Sequence, residues 1–253
     1  MYYTGVQQPA RVTLLGVPID ALTQAEALAR LENFLKDSGQ KHVATPNNEM
    51  LVEAHRNARF RDVLQHTALN LPDSTGLLLM ARLRGHRLPA RVTGTDTMQK
   101  MLCALLDERH PVFFLGAAAG VAQRAAEELK KCNPRLTIAG TFSGSPRSED
   151  AQEIIQKIND AQPHLLLVAF GAPAQDLWIA EHLHKLQSVR VAMGVGGAFD
   201  FVAGVQKRAP RFIRTLGLEW AWRFAHEPKR WRRMWKAVVV FPILCLGEMV
   251  RGG

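Results

Sequence analysis

The sequence predicts an α/β fold, a largely parallel sheet flanked by helices. Two observations lead there. Short apolar, β-branched runs alternate with longer segments of helical periodicity, and glycine-bearing loops follow the runs where strands would hand over to helices. A chain of 253 residues, 47% hydrophobic and 22% charged, suits one large domain or two small ones sharing a core. The first strand is expected at residues 11–15. The helix behind it opens on Thr23 and Glu26 at capping-box spacing and repeats apolar residues at intervals of three and four through Leu35. Further strands are expected at 42–45, 68–71, 112–115, 137–139, 165–170 and 190–195, and further helices at 49–66, 75–84, 97–108, 121–131, 149–158 and 176–186. No internal repeat or low-complexity linker interrupts this Rossmann-like alternation.

The net charge of +9 is concentrated near the C-terminus. Nine basic residues lie between Arg208 and Lys236 against Glu219 and Glu227, leaving the rest of the chain nearly neutral. Such a field attracts phosphates of nucleic acid, nucleotide or lipid. Pro228 can open a helix on which Trp231, Trp235 and Val238 share one stripe, with Lys229, Arg230, Arg232, Arg233 and Lys236 around it. That arrangement suits the headgroup boundary of an anionic membrane. The apolar run 237–247 is interrupted by Pro242 and falls short of the roughly 20 residues that span a bilayer, so it is expected to lie on the membrane without crossing. The alternatives are tryptophans packed on the body beside solvated arginines, or a nucleic-acid patch; for the latter no stacking motif or recognition helix is visible. The expected division is a catalytic body, residues 1–207, and a basic, tryptophan-rich appendage, residues 208–253, that docks on the membrane or packs against a second copy. Cys103, Cys132 and Cys245 show neither CxxC nor Cys/His spacing, so no disulfide or zinc site is expected. The N-terminus has no basic region followed by an apolar run. A protein peripheral on the cytoplasmic face of the cell membrane is expected.

Five loops are expected to converge at the carboxyl ends of the strands: TPNNE from Thr45, PDSTG from Pro72, LGAAAG from Leu115, FGAPAQD from Phe170 and MGVGGAFD from Met193. Glycine there lets backbone approach a ligand, and the following helix offers N–H groups to phosphate. Gly116 and Gly120 read equally well as turn residues. GAAAG is neither GxGxxG nor a P-loop, so a nicotinamide-dependent oxidoreductase and an ATPase lack their fingerprint. Asp73 follows a short strand and stands as a candidate general base, or as the cap of the helix starting near Thr75. Asp96 and Asp200 compete for that role, each as a cap or a ribose ligand. No Asp-x-Asp pair occurs to hold a metal. With no cofactor expected, the arginines are left to meet a leaving group's charge.

The segments TPNNEM, PDSTG, RVTGTD, FFLGAAAG, FGAPAQD, GVGGAFDFVAGVQKRAP and LGLEWAWRFAHEPKRWRR resemble the WecG/TagA/CpsF glycosyltransferases over residues 12–233, in that family's order. The resemblance implies an inverting, metal-independent enzyme that moves an N-acetylmannosamine-type sugar from UDP to an undecaprenyl-diphosphate-linked N-acetylglucosamine in cell-surface polysaccharide synthesis. It implies Asp73 as catalytic base, with Thr45 and Asn47 shaping the site. Gln175 and Arg91 are implied to touch the donor and line the pocket; the expected substrate-binding set is completed by the residues read from the loops alone, Asp96 and the backbone at Gly116, Gly171, Gly196 and Gly197. Arg223, Arg230 and Arg233 are implied to reach over the pocket to the diphosphate in place of a metal. Ser74 departs from the family's usual Gly, and Ala174 and Asp176 from its usual Lys and Glu around the glutamine. A basic nucleic-acid-binding Rossmann-like protein is the rival reading.

Overall fold

The structure, a computed structural model, describes residues 10–210, 212–213, 219–226 and 231–251. It opens on a hairpin of β1 (Arg11–Leu14) and β2 (Val17–Asp20). Its two-residue turn holds Leu15 at φ 49° and Gly16 at φ 77°, the double positive φ that a tight type I′ hairpin needs. Helix α1 (Gln24–Lys36) carries the expected capping box between Thr23 and Glu26. Six further strands follow: β3 (Lys41–Ala44), β4 (Leu69–Asn70), β5 (Val112–Gly116), β6 (Ile138–Phe142), β7 (Leu165–Ala169) and β8 (Val191–Gly194). They form one parallel sheet in the order β4-β3-β8-β7-β5-β6. β5, β7 and β8 are buried at every position, because helices cover both faces.

Those helices are α2 (Asn48–Arg56), α3 (Ala58–His66), α4 (Thr75–Leu83), α5 (Gly94–Lys100), α6 (Val121–Cys132), α7 (Ser148–Ala161), α8 (Ala174–His182) and the short α9 (Ala198–Val202). One core lies between the sheet and α1, α5, α6 and α9. A second joins the hairpin to α2, α3 and α4, and a third fills the space between β5, β7 and helices α7 and α8.

The α/β class is as expected, and four details differ. The strand at 11–15 belongs to the hairpin rather than the main sheet, and its partner β2 was not expected. The single helix expected at 49–66 is two, divided at Asn57, whose N–H bonds Glu53 O while its side chain accepts from Phe60 N. The helix expected at 97–108 starts at Gly94 and ends in a π turn, Met101–Leu105. Cys103 in that turn and Cys132 at the end of α6 form a disulfide with Cα atoms 5.5 Å apart, correcting the expectation of none. Their separation of 29 residues carries no spacing signal.

The C-terminal segment contributes α10 (Glu219–His226), α11 (Trp231–Trp235), a π turn (Lys236–Val240) and α12 (Phe241–Arg251). From Trp231 to Arg251 the helix is continuous, and Pro242 does not break it. The preceding π turn, closed by Phe241 N–H to Lys236 O, opens the backbone where the ring of a proline would otherwise collide. Phe241 and Cys245 are fully buried in the second core, and Arg84 fastens the helix through Cys245 O (3.0 Å) and Glu248 (2.5 Å). Among the described residues no helix is long and apolar enough to cross a membrane.

Candidate active site

The loops leaving β3 and β4 are tied together by backbone before any side chain is considered. Leu71 N–H bonds Ala44 O (2.9 Å), Asp73 N–H bonds Pro46 O (2.9 Å), and Val92 N–H bonds Pro72 O (2.8 Å). Three segments, around residues 46, 73 and 93, therefore share one frame. Asp73 is not the cap of α4. Ser74 takes that position, its hydroxyl accepting from Leu77 N, while the Asp73 carboxylate accepts from Gly94 N–H at 3.0 Å. Thr45 lies beneath, 7% exposed, donating to Gly194 O at 3.4 Å and packing against Gly94. Asn47 caps α2 through Met50 N–H.

Asp73 and Asn47 share with Arg91 and Arg233 a cavity of about 520 Å³. Its other wall is apolar, made by Leu79 of α4, Trp220 and Phe224 of α10, and Pro242 of α12. Arg233 Nε is held by Glu49 Oε1 at 2.6 Å, at the start of α2. Arg230 lies outside the described residues, as does the side chain of Arg223. Two residues that the sequence did not single out complete the frame. Asn48 accepts from Ser74 Oγ at 2.6 Å and donates to Ala237 O at 2.9 Å, joining the loop that carries Asp73 to the C-terminal helix. Glu49 anchors Arg233. Both sit in the TPNNE motif beside the chosen Asn47, so adjacency was the signal. Ser74, where the resemblance leads one to expect Gly, serves as cap and as donor to Asn48.

The glycine loops lie at the neighbouring strand ends. Connections leave β5 and β7 in opposite directions, to β6 and to β8, so the switch point of the sheet, where ligands of open α/β sheets bind, lies between these two strands. Gly116 and Gly171 flank it; at Gly116 (φ 102°) a Cβ would fall 2.8 Å from the Ala169 carbonyl carbon, so only glycine fits. Gly196 and Gly197 follow β8. Gln175, expected at the donor, is 3% exposed, and its Oε1 accepts from Gly196 N–H at 2.9 Å, so it supports the loop from below. Asp96 accepts from Thr93 Oγ1 and from Arg208 Nη1, each at 2.7 Å, and so joins the α5 cap to the segment after α9. Asp200 lies in the first turn of α9. Among the described residues no group of three or more His, Cys, Asp or Glu is placed to hold a metal.

Comparison with known proteins places this geometry. The model of the glycosyl transferase WecG/TagA/CpsF family matches residues 12–253. The chain is 35% identical over 201 residues to an N-acetylglucosaminyldiphosphoundecaprenol N-acetyl-beta-D-mannosaminyltransferase of Bacillus spizizenii, covering 79% of this chain and 77% of that one. A Bacillus subtilis protein of the same name is 32% identical over 76% of this chain and 74% of its own length. One from Staphylococcus aureus is 28% identical over 92% and 91%. A family match over nearly the whole chain, with two relatives above 30% identity, shows that this chain belongs to the WecG/TagA/CpsF family and is a glycosyltransferase.

Proposed function

We propose that the protein transfers an N-acetylmannosamine-type sugar from a UDP donor, with inversion, to N-acetylglucosamine carried on undecaprenyl diphosphate, at the surface of an anionic membrane. The acceptor and the sugar follow the names of the relatives. The observation that supports the reading best is Asp73. Asp73 lines the cavity, Ser74 performs the capping that Asp73 would otherwise perform, and the Asp73 carboxylate accepts from the Gly94 N–H.

In this mechanism Asp73 removes the proton of the acceptor hydroxyl as its oxygen attacks the anomeric carbon from the face opposite the nucleotide. The bond from that carbon to the diphosphate breaks, and its electron pair leaves on the phosphate oxygen. Arg91 and Arg233 oppose the charge on the two diphosphates the reaction brings together, with Arg223 and Arg230 as further arginines of the same segment. The backbone at Gly116, Gly171, Gly196 and Gly197 receives the nucleotide, Gln175 holds that loop, and Thr45, Asn47 and Asp96 keep the base and its neighbours in register. No cofactor takes part, and the arginines stand where other glycosyltransferases use a divalent ion. The C-terminal appendage, residues 208–253, docks the enzyme on the membrane.

Asp73→Asn is expected to keep the fold and UDP affinity while transfer falls by about 10²–10⁴-fold, the usual contribution of a general base. Transfer within a few-fold of the parent would remove Asp73 from the role. Transfer is also expected to continue in excess chelator; its abolition, with recovery on adding a divalent ion, would overturn the arginine assignment.

A further inference from the structure

We infer that helix α4 of the body is itself a membrane-contacting element, through Leu83 and Leu79, and that the polyprenyl chain of the acceptor reaches the cavity laterally across Leu79. This rests on the proposed lipid-linked acceptor. Helix α4 buries Leu77, Met80 and Ala81, and presents Thr75, Leu79, Arg82 and Leu83 to solvent, with Leu79 55% and Leu83 51% exposed. Isolated exposed leucines are ordinary in soluble proteins. These are not isolated. Arg84, at the end of α4, is bonded to Cys245 O and Glu248, so α12 runs alongside, and it exposes Ile243 (62%), Leu246 (46%) and Val250 (87%) on one stripe. Leu79 and Pro242 line the same cavity as Trp220 and Phe224. Two neighbouring helices, one from the body and one from the C-terminal segment, thus carry apolar stripes and both line one cavity, a continuity that scattered surface leucines lack.

The charges around this face select its partner. Residues 75–91 include Arg82, Arg84, Arg87 and Arg91 and contain no Asp or Glu, and Arg82, His86 and Arg87 are exposed. Arg84 is paired with Glu248 of α12, and the exposed Arg82 and Arg87 leave a net basic fringe on α4 beside the apolar stripe, which matches an anionic headgroup layer over a hydrocarbon one. A second copy of this chain meeting the same face would set arginine against arginine, a like-charge contact that disfavours association. The cavity is divided in the same sense. Asn47, Asp73 and Arg91 form a wall suited to sugar and diphosphate, and Leu79, Trp220 and Phe224 form one suited to isoprene units. A bilayer lying on α4 and α12 would place the acceptor's chain at the level of the apolar wall, so the lipid need not leave the membrane to be used.

The test uses the full chain and two single variants. Leu83 lies outside the cavity lining, so Leu83→Glu is expected to keep the melting temperature and the turnover of a water-soluble, short-chain diphosphate-linked N-acetylglucosamine, while flotation with phosphatidylglycerol vesicles weakens about tenfold or more. Leu79→Glu is expected to raise KM for a long-chain acceptor in detergent micelles, where docking is not needed, with kcat little changed. Vesicle binding of Leu83→Glu equal to that of the parent overturns the docking role of α4. So does a dimeric parent that Leu83→Glu turns monomeric while vesicle binding stays unchanged. Equal micellar KM for Leu79→Glu and Leu83→Glu overturns lateral access. Failure of the parent to use either acceptor would instead refute the proposed function, and flotation of the variants would still report on docking.

Discussion

Gly194 ends β8 on the side facing α8, where a Cβ would lie 2.5 Å from Gln175 Nε2 and 2.8 Å from Asp176 Oδ1. The missing side chain lets the first turn of α8 rest on the strand, and that contact brings Gln175 to Gly196 N–H. Asp176 is fully buried with Oδ1 3.4 Å from His42 Nε2, so the carboxylate has little room to yield. Gly194→Ala is therefore expected to cost about 1–3 kcal/mol by overpacking, read by urea denaturation. Displacing Gln175 should also weaken UDP binding in isothermal titration; unchanged affinity would detach Gln175 from the donor loop. The motif GAPAQD and the glycines of MGVGG were legible in the sequence. That Gln175 lies under the loop was not, because its burial depends on what Gly194 lacks, a fact of tertiary packing. Asp73 illustrates the opposite limit: base and cap were both open from the sequence, and the structure gives the cap position to Ser74 one residue on.

At the scale of elements, long periodic segments such as α1, α6 and α7 were legible because each buries a 3.6-period stripe. The hairpin strand β2 was missed because its turn uses Leu15 where Asn-Gly or Asp-Gly would have marked a type I′ bend. The division between α2 and α3 escaped because Asn57 breaks the chain only by capping both helices. The C-terminal helix shows the largest difference. Its amphipathic stripe of Trp231, Trp235 and Val238 is exposed as drawn, yet the following turns send Phe241 and Cys245 into the core of the body. Phe241→Ala is accordingly expected to destabilise the fold by about 3–5 kcal/mol, as for other buried aromatics, and to lower the melting temperature. Burial pushes the Cys245 thiol up to about 12, so the buried group is expected to resist iodoacetamide at neutral pH in the native protein. Labelling at Cys245 while near-ultraviolet circular dichroism remains native would show that α12 detaches from the body on its own.

For the whole molecule, the parallel sheet and its convergent loops followed from alternation alone, whereas the sheet order and the opening between α4 and α12 depend on long-range packing that no local pattern encodes. Acid stability is likewise a property of the assembled core. His164, just before β7, and His182, at the end of α8, both have pKa values lowered from the ordinary value near 6.5, first by burial. Arg190 and His110 add to the effect at His164. At His182 the nearby Glu181 opposes it, while Lys185 and His184 reinforce it. In both cases the unfolded chain takes up a proton at a higher pH than the folded one. The stability these two histidines contribute is thus fully present above about pH 6.5 and is lost as the pH falls from there through their folded values. Asp107, whose carboxyl Arg109 holds well below the usual carboxylate range, acts in the same direction but only at more acidic pH, so the two windows separate. The melting temperature of the parent is expected to fall as the pH drops below about 6.5, and a His164→Gln/His182→Gln variant should show a flatter profile over the onset of that fall. A variant whose profile runs parallel to the parent's would transfer the acid sensitivity from the two buried imidazoles to the carboxylates.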